Sequence, residues 1–153
     1  MTTSIAIRAV RRDDFAAWRQ LWDGYNAFYG RSGDSALPAE ITLITWERFF
    51  DGAEPMHALV ADRSGTLLGL AHYLYHRSTI MASPICYLQD LFTADAERGQ
   101  GIGRALIHAV YECASSDGAT RVYWQTHETN AVARRLYDQV AEQSGFIVYR
   151  QNL

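Results

Sequence analysis

The clearest hydrophobic pattern in the chain is that of an amphipathic helix over residues 101–114. Its apolar positions recur at the three- and four-residue spacing that places side chains on one helix face. These positions are Ile102, Ala105, Leu106, Ala109, Val110 and Cys113. The Asp117-Gly118 pair that follows predicts the end of this helix.

Weaker patterns predict three further helices. Asp13 is expected to cap the first, which carries an aromatic face. That face consists of Phe15, Trp18, Trp22, Tyr25 and Tyr29. Pro38 is expected to open the second, which runs through Phe50. Asn130 is expected to start the last, whose apolar residues are Ala133, Leu136, Tyr137 and Val140.

Short apolar segments bounded by turn residues predict six strands, which cover residues 5–10, 57–62, 67–76, 86–93, 121–126 and 146–150. Arg63-Ser64-Gly65 is expected to form the turn of a hairpin between the second and the third. A meander of strands followed by strands that alternate with helices is typical of a mixed sheet. We therefore expect an α/β (α+β) fold with helices on both faces of a central mixed sheet.

Length and composition favour one domain over residues 1–153. Hydrophobic residues make up 48% of the 153 residues, which is enough for one core. The net charge of -3 is far from the basic character that binding a phosphate backbone requires. We therefore expect no nucleic-acid partner.

We also expect a cytoplasmic protein with no membrane partner. No apolar run approaches the roughly 20 residues that span a bilayer, and the first residues lack the order of a signal peptide. The two cysteines, Cys86 and Cys113, suggest neither a disulfide framework nor a metal cluster. His72, His76 and His127 lack the spacing of metal ligands, so we expect no metal and give these residues no catalytic role.

A glycine-rich loop, RGQGIGR at residues 98–104, precedes the strongest helix. Glycine leaves backbone N–H groups unshielded, and a helix N-terminus adds a dipole equivalent to about half a positive charge. No ordinary N-cap residue is present, so we expect a bound phosphate group to cap the helix. A flexible connection without a ligand is the alternative.

Two common phosphate-binding motifs do not fit this loop. A dinucleotide fingerprint needs a third glycine where Arg104 stands, and it follows its strand directly, whereas residues 93–98 intervene here. A P-loop ends in Gly-Lys-Ser/Thr, and no lysine lies nearby. Nucleotide hydrolysis is therefore disfavoured.

Arg98, Gly101 and Gly103 match the pattern R/Q-x-x-G-x-G/A, and residues 130–137 match N-x-x-A-x-x-L-Y. With these two blocks in this order, the chain resembles the GNAT acetyltransferases, in which the first block binds the coenzyme A pyrophosphate.

The segments CYLQDLF at 86–92 and VYWQTHETN at 122–130 resemble most closely a subgroup with yeast histone and polyamine acetyltransferases and small bacterial relatives. Spermidine/spermine acetyltransferase has a glutamate where this chain has Gln89. A glutamine cannot accept a proton as a carboxylate does.

The resemblance implies the GNAT fold and an N-acetyltransferase that uses acetyl-CoA (coenzyme A) as co-substrate. Transfer would proceed by direct attack of a primary amine in a ternary complex. The expected acceptor is a small amine, a polyamine, an amino acid or a protein lysine. The coenzyme-binding residues would be Leu91, Phe92, Thr93, Arg98, Gly99, Gln100, Gly101, Gly103, Arg104, Asn130 and Tyr137. A domain that binds acyl-CoA without transfer, or a structural interaction domain, is the alternative.

Tyr137 matches the family position beside the coenzyme sulfur and is the expected general acid. A tyrosine with a pKa near 10 stays protonated at neutral pH. By spacing alone Tyr137 is a half-buried core aromatic. Asn130 is expected to cap its helix, a role compatible with a contact to coenzyme A.

The general base is expected to be Asp90, with Glu128 or a water held by Gln89 as alternatives. Strand alternation places Gln89 and Asp90 on opposite faces unless a bulge intervenes. A carboxylate near the acceptor would also attract a protonated amine.

Aromatic side chains suit an amine pocket. Tyr25 and Tyr29, near the glycine-bearing loop at 30–34, are the preferred wall residues, with Phe28 and Trp46 as further candidates. Gln89 and Glu128 are also expected at the acceptor. Trp18, Trp22 and the two cysteines are expected in the core.

The predicted strand at 146–150 ends three residues before the C-terminus. Such a strand leaves an open sheet edge or crosses to a partner subunit. Because relatives in the superfamily often dimerise, we expect a homodimer.

Overall fold

The computed structural model describes residues 4–153, which form a five-stranded sheet in the order β1-β2-β3-β4-β5. The strands are β1 (Ala6–Ala9), β2 (Met56–Arg63), β3 (Thr66–His76), β4 (Ile85–Thr93) and β5 (Val122–Tyr123). The first four pair antiparallel as a meander, and β5 pairs parallel with β4. The sheet is therefore mixed, as the order of sequence patterns predicts.

Four α-helices accompany the sheet. They are α1 (Phe15–Phe28), α2 (Ala39–Arg48), α3 (Ile102–Ser116) and α4 (Ala131–Val140). Single 3-10 turns lie at Arg12–Asp14, Gly33–Ser35 and Asp95–Glu97. In the part of the chain from residue 4 onwards, no helix is long and apolar enough to cross a membrane.

The helices cover both faces of the sheet and bury a separate core on each. On one face, which we call the α1 face, aromatic side chains of α1 and α2 pack against Val60, Leu67 and Leu70. On the other, the α3 face, apolar residues of α3 pack against the small and aliphatic residues of β2, β3 and β4. The predicted fold, a central mixed sheet with helices on both faces, is confirmed.

The hairpin between β2 and β3 has the predicted turn. Ser64 and Gly65 both have positive φ, of 51° and 91°, as the two central residues of a tight hairpin turn require. The Gly65 N–H donates to the Asp62 carboxylate at 2.7 Å, which holds the turn closed.

Two helix boundaries differ from the sequence prediction. Asp13 does not cap α1; its neighbour Asp14 ends the preceding 3-10 turn, accepts the Arg11 N–H at 2.7 Å and pairs with Arg8 at 2.7 Å. The two aspartates are adjacent, so the spacing alone did not distinguish them. Helix α2 starts after Pro38 as predicted but ends at Arg48, before Phe50.

The prediction of a strand at 146–150 is wrong for the single chain. These residues pair with no strand within 4–153, and Phe146 is 92% exposed. The strand predicted at 121–126 is also shorter and pairs only at Val122 and Tyr123. In both segments the residues have strand composition, but a strand also needs a neighbouring edge to pair with.

Candidate active site

A β-bulge interrupts β4 at Gln89. Across the β3 ladder, His72 lies opposite Asp90, but the next residue, Tyr73, lies opposite Leu88. Gln89 therefore has no partner, which is the extra residue of a bulge. Strand alternation predicts Gln89 and Asp90 on opposite faces only where no such bulge intervenes.

The bulge changes which side chains of β4 face each side of the sheet. Before it, Cys86 and Leu88 pack in the core of the α3 face. After the bulge, Leu91 packs on the α3 face and Phe92 packs on the α1 face. An uninterrupted strand would direct Asp90 toward α3 with Leu88, because side chains two apart share a face. The bulge instead places the Asp90 carboxylate among the aromatic residues of α1.

Asp90 is buried there in a hydrogen-bonded chain with His72 and Trp18. The Trp18 indole N–H donates to His72 Nε2 at 2.9 Å, and His72 Nδ1 lies 2.9 Å from the Asp90 carboxylate. Because an indole N–H only donates, Nε2 must be the unprotonated nitrogen, and Nδ1 carries the proton and donates it to Asp90. His72 is thus a neutral imidazole that orients Asp90, and it has no free nitrogen with which to accept a substrate proton.

Tyr25 is a second neighbour of Asp90. Burial, followed by the neighbouring Asp90 carboxylate, raises the pKa of Tyr25 well above its ordinary value. Tyr25 therefore keeps its proton. The Asp90 carboxylate accepts a hydrogen bond from His72 and lies near the phenol of Tyr25.

A gap opens between β4 and β5 beyond the bulge. The two strands pair only at Cys86 with Val122 and at Tyr87 with Tyr123. From Leu88 to Thr93, β4 has β3 on one side and, among residues 4–153, no paired strand on the other. Every second residue of an antiparallel strand directs its N–H and C=O away from the partner. The gap is therefore lined by backbone donors and acceptors of alternate residues, which include Leu91 and Thr93, whereas the backbone of Phe92 faces β3.

The glycine-rich loop leads from β4 to the N-terminus of α3. Gly99 and Gly101 have φ of 80° and 81°, and a Cβ at either position would enter open space. Gly101 is the N-cap and provides no side-chain cap. Ala105 is the first residue whose N–H bonds back, to the Gly101 carbonyl at 3.0 Å. The amides of residues 102–104 therefore have no intrahelical acceptor, and this helix end fits an anion such as a phosphate.

The side chains of the loop are tethered at its edges. Arg98 pairs with Asp95 at 3.0 Å and its guanidinium carbon lies 5.6 Å from the centre of the Phe28 ring. Gln100 donates to Glu97 at 2.9 Å. These contacts lie beside the loop and leave the space over the glycines open.

Helix α4 packs beside the loop. A Cβ at Gly103 would lie 3.4 Å from Leu136, so a larger residue there would press on α4. Arg104 donates a hydrogen bond to Gln139. The two sequence blocks that resemble the GNAT motifs are therefore in direct contact in the fold.

Tyr137 projects from α4 into a half-buried position. Its ring lies 5.4 Å from the ring of Trp124, measured between centres. Burial, with a smaller effect from nearby Tyr29, raises the pKa of Tyr137 to about 12. Tyr137 is thus protonated at neutral pH. Asn130 accepts the Ala133 N–H at 3.4 Å, so it caps α4 as predicted.

The predicted acceptor wall is assembled in part. The rings of Tyr25 and Tyr29 lie 5.0 Å apart, and the pKa effects place Tyr29 near Tyr137 and Tyr25 near Asp90. Tyr25 and Trp46 are both buried in the core of the α1 face, 8% and 4% exposed, but Trp46 packs against Trp18 and not beside Tyr29. Trp46 is therefore a core residue and not a wall residue.

Gln89 and Glu128 are exposed, and the Glu128 carbonyl accepts a hydrogen bond from Arg134 at 2.7 Å. Cys86 is fully buried, and burial raises the pKa of its thiol to about 12. A thiol with that pKa is a poor nucleophile. Among residues 4–153, no three His, Cys, Asp or Glu side chains converge as metal ligands would.

Sequence reasoning missed three residues of this site: Trp18 and His72, which orient Asp90, and Arg31, which lies beside Tyr25 and Tyr29. The register of β3 against β4 is the signal that joins His72 to Asp90. That register depends on the bulge, which no local pattern marks.

Comparison with known proteins agrees with the geometry. The model of the family described as "Acetyltransferase (GNAT) family" matches residues 16–141. The D-amino-acid N-acetyltransferase HPA3 of Saccharomyces cerevisiae is 32% identical over 150 residues, which cover 97% of this chain and 91% of the relative. The uncharacterized N-acetyltransferase YhfO of Bacillus subtilis is 30% identical over 152 residues, covering 96% and 97% of the two chains.

Solved structures share the fold at lower identity. The acetyltransferase AAC(6')-Iy in complex with a bisubstrate analogue, CoA-S-monomethyl-acetylneamine, superimposes with a TM-score of 0.83 at 17% identity and 99% coverage of both chains. An aminoglycoside acetyltransferase from a soil metagenome, in complex with sisomicin, superimposes with a TM-score of 0.78 at 18% identity and 97% coverage of both chains.

Proposed function

Because the chain belongs to the GNAT acetyltransferase family, we propose that it transfers an acetyl group from acetyl-CoA to a primary amine by direct attack in a ternary complex. The observation that carries this proposal is the placement of two backbone features at the two ends of one loop: the open side of β4 and the uncapped N-terminus of α3. Helix α4, which carries Tyr137, packs beside this loop through Leu136.

The residues present fit coenzyme A. Amides 102–104 and the glycines before them would hold the pyrophosphate, with Arg98, Gln100 and Arg104 at the rim. The backbone of Leu91 and Thr93 that faces away from β3 would align the pantetheine arm beside Phe92, and Asn130 at the start of α4 would contact the same coenzyme. When bound, acetyl-CoA supplies an activated thioester.

Tyr137 would donate its phenolic proton to the departing thiolate. Its raised pKa of about 12 keeps the phenol protonated at neutral pH, so that the proton is present when the thiolate leaves.

Asp90 is proposed as the group that attracts the protonated amine and takes its proton. The hydrogen bond from His72 fixes the carboxylate position. Burial in a low-dielectric site strengthens its attraction for a cation. Tyr25 and Tyr29 would form the wall of the acceptor pocket, with Gln89 and Glu128 at its exposed edge.

The test is a thiol-release assay with acetyl-CoA and a panel of polyamines, amino acids, aminoglycosides and lysine peptides. Transfer predicts release that depends on both acetyl-CoA and an amine. A protein that is stabilised by acetyl-CoA but releases no thiol with any amine would be a binding domain, and one that acetyl-CoA does not stabilise would be an interaction domain.

We further propose a cytoplasmic homodimer in which the segment Phe146–Arg150 of each copy pairs with the free edge of β5 in the other. Four consecutive large side chains in this segment are at least two-thirds exposed: Phe146, Ile147, Val148 and Tyr149. Strand alternation puts two of them on each face. A strand that is apolar on both faces is typical of a sheet interior, with a neighbour on each side.

The second copy is the partner because each chain carries both halves of the contact, an unpaired apolar strand and an unpaired strand edge. A twofold axis satisfies both at once. The two aromatic residues of each tail would bury about 150–250 Å² each. Each tail also covers a similar area on the surface of the other copy. The total buried area then reaches the roughly 1,200–2,000 Å² that is typical of a stable interface.

Gly145, with φ of 88°, allows the chain to turn away from α4 into the exposed segment. Residues before it are anchored, since Arg134 donates to Gln143 at 3.3 Å. The segment therefore leaves the body of the molecule at a defined point.

Val148→Pro tests this assembly, because proline removes a ladder donor and blocks pairing. Light scattering should give twice the 17.3 kDa chain mass for the wild type and for the control Asn152→Pro, and a single-chain mass for Val148→Pro. Hydrogen exchange should show the amides of residues 146–150 protected only in the dimers. If the amides of residues 146–150 are unprotected in a dimer, or protected in a monomer, the proposed pairing of this segment with β5 of the second copy is wrong.

A further inference from the structure

Arg31 presents a guanidinium to the acceptor wall that no acidic side chain neutralises. Among residues 4–153, no Asp or Glu lies within ion-pair distance of it. The guanidinium carbon of Arg31, Cζ, lies 5.8 Å from the centre of the Tyr25 ring and 5.6 Å from the centre of the Tyr29 ring. A cation without a counter-ion beside two wall residues is suited to an anionic group of the substrate.

The guanidinium is held in place by Asn26. Arg31 Nε donates to the Asn26 side-chain oxygen at 2.7 Å, and the Arg31 backbone N–H donates to the Asn26 carbonyl at 2.8 Å. Asn26 is itself 4% exposed, and its amide nitrogen donates to the Trp22 carbonyl at 2.9 Å, which fixes its orientation. The two terminal nitrogens of Arg31 have no hydrogen-bond acceptor among the described residues.

Arg31 and Asp90 are both near Tyr25. The Arg31 guanidinium carbon lies 5.8 Å from the centre of the Tyr25 ring, and Tyr25 stacks on Trp22, whose ring lies 5.2 Å from that of His72, the hydrogen-bond partner of Asp90. In agreement, Asp90 raises the pKa of Tyr25 and Arg31 lowers it. The acceptor side of the site therefore has one group of each charge near Tyr25. A free α-amino acid has the complementary pair, an ammonium and a carboxylate on one carbon.

We propose that the acceptor is a free α-amino acid whose carboxylate binds the terminal nitrogens of Arg31 while its ammonium faces Asp90. This inference rests on the proposed acetyl transfer and adds a binding site to it. A planar guanidinium whose two terminal nitrogens are both free can bind a carboxylate in a bidentate manner, which a lysine ammonium cannot reproduce. Polyamines and simple amines lack the group that Arg31 would bind.

The experiment compares kcat/KM for alanine and phenylalanine, in both enantiomers, with values for ethylamine, phenylethylamine and the two amino acid amides. Wild-type protein is compared with Arg31→Gln, Arg31→Lys and the control Arg19→Gln. Arg19 is an exposed arginine on α1 that pairs with Asp23 at 3.8 Å, so its removal changes the net charge equally.

We expect Arg31→Gln to lower kcat/KM for an amino acid about 10- to 100-fold, mainly through KM, since a hydrogen bond to a charged group is lost. The values for amines and amides should change less than about twofold, as should all values for Arg19→Gln. Arg31→Lys keeps the positive charge but lacks the planar guanidinium. Its kcat/KM for an amino acid should therefore lie between the values for the wild type and for Arg31→Gln.

Equal losses on amino acids and amines would overturn the inference, as would a wild-type protein that prefers the amines. Weaker binding of acetyl-CoA by Arg31→Gln, measured by titration, would also overturn it, because Arg31 would then face the coenzyme. If no amine at all is acetylated, the proposed function itself fails. Acetylation without preference for a carboxylate leaves that function standing and removes only the role of Arg31.

Discussion

The two faces of the sheet contribute to the site in different ways. On the α3 face the candidate contacts are backbone groups: the amides of residues 102–104 and the unpaired side of β4. On the α1 face they are side chains held by other side chains, such as Asp90 by His72 and Arg31 by Asn26. A backbone site tolerates most side chains but requires particular glycines. A side-chain site depends on which residues the strand register brings together.

The largest effect should come from the backbone site. Gly101→Val places a side chain over the loop at φ of 81°, where a Cβ would enter the space left for the phosphates. We expect it to abolish the rise in melting temperature that acetyl-CoA causes in the wild type by binding only the folded state.

Gly118→Val is a matched control, because Gly118 lies at the other end of α3 with φ of 87° and also has open space at its Cβ. It should lose a similar amount of stability through backbone strain, about 1–3 kcal/mol, and still respond to acetyl-CoA. An undiminished response in a folded Gly101→Val protein would contradict the pyrophosphate site.

The next effect concerns Tyr137, which contributes a side chain to the α3 face. Tyr137→Phe removes the proton donor and little volume, so we expect acetyl-CoA binding to persist while turnover falls about 10²–10⁴-fold. Because the pKa of Tyr137 is raised to about 12, it stays protonated as pH rises, and wild-type turnover should show no loss from its ionisation below that value. Wild-type turnover by the variant across pH would exclude the acid role.

A smaller and pH-dependent effect should follow from Asp90→Asn on the α1 face. We expect kcat/KM for amines to fall about 100-fold near neutral pH, at the low end of general-base effects. The loss should shrink at higher pH, where more of the amine is already unprotonated. A loss that is absent, or identical at every pH, would exclude Asp90, and the same profile for Glu128→Gln would then test the alternative base.

The smallest effect concerns the group that holds Asp90. His72→Leu leaves the Trp18 N–H and one side of the Asp90 carboxylate without a partner, which should lower the free energy of unfolding by about 2–4 kcal/mol. His57→Leu is the control on the α3 face, because His57 stacks on Tyr73 at 5.1 Å and makes no side-chain hydrogen bond among the described residues. It should cost less than about 1.5 kcal/mol. Denaturant unfolding measures both values. If His72→Leu and His57→Leu lose the same free energy of unfolding, the hydrogen bonds of His72 with Trp18 and Asp90 do not stabilise the fold beyond ordinary packing.

The same contrast explains what the sequence could predict. Helix α3, its glycine-bearing start and the Ser64-Gly65 turn follow from residues that are neighbours in the chain. The contact of Asp90 with His72 does not, because it depends on one unpaired residue, Gln89, in the middle of an apolar strand. Nothing in the local composition marks that bulge.

The C-terminal segment shows a second limit of local patterns. Residues 146–150 have the composition of a strand, and the prediction of a strand fails only because no edge in the same chain pairs with them. The aromatic face of α1 shows a third limit. Its spacing predicts burial, but it does not separate Trp18, which donates a hydrogen bond to His72, from Tyr25, whose pKa the nearby Asp90 raises.

The most direct test of acetyl transfer is mass spectrometry of the protein and the acceptor after incubation with acetyl-CoA. Direct attack in a ternary complex predicts that the amine gains one acetyl group, that free thiol appears in equal amount, and that the protein incubated without an amine keeps its unmodified mass. Thiol release with no acetylated amine, or an acetylated protein that passes its acetyl group to the amine in a second step, would contradict the account.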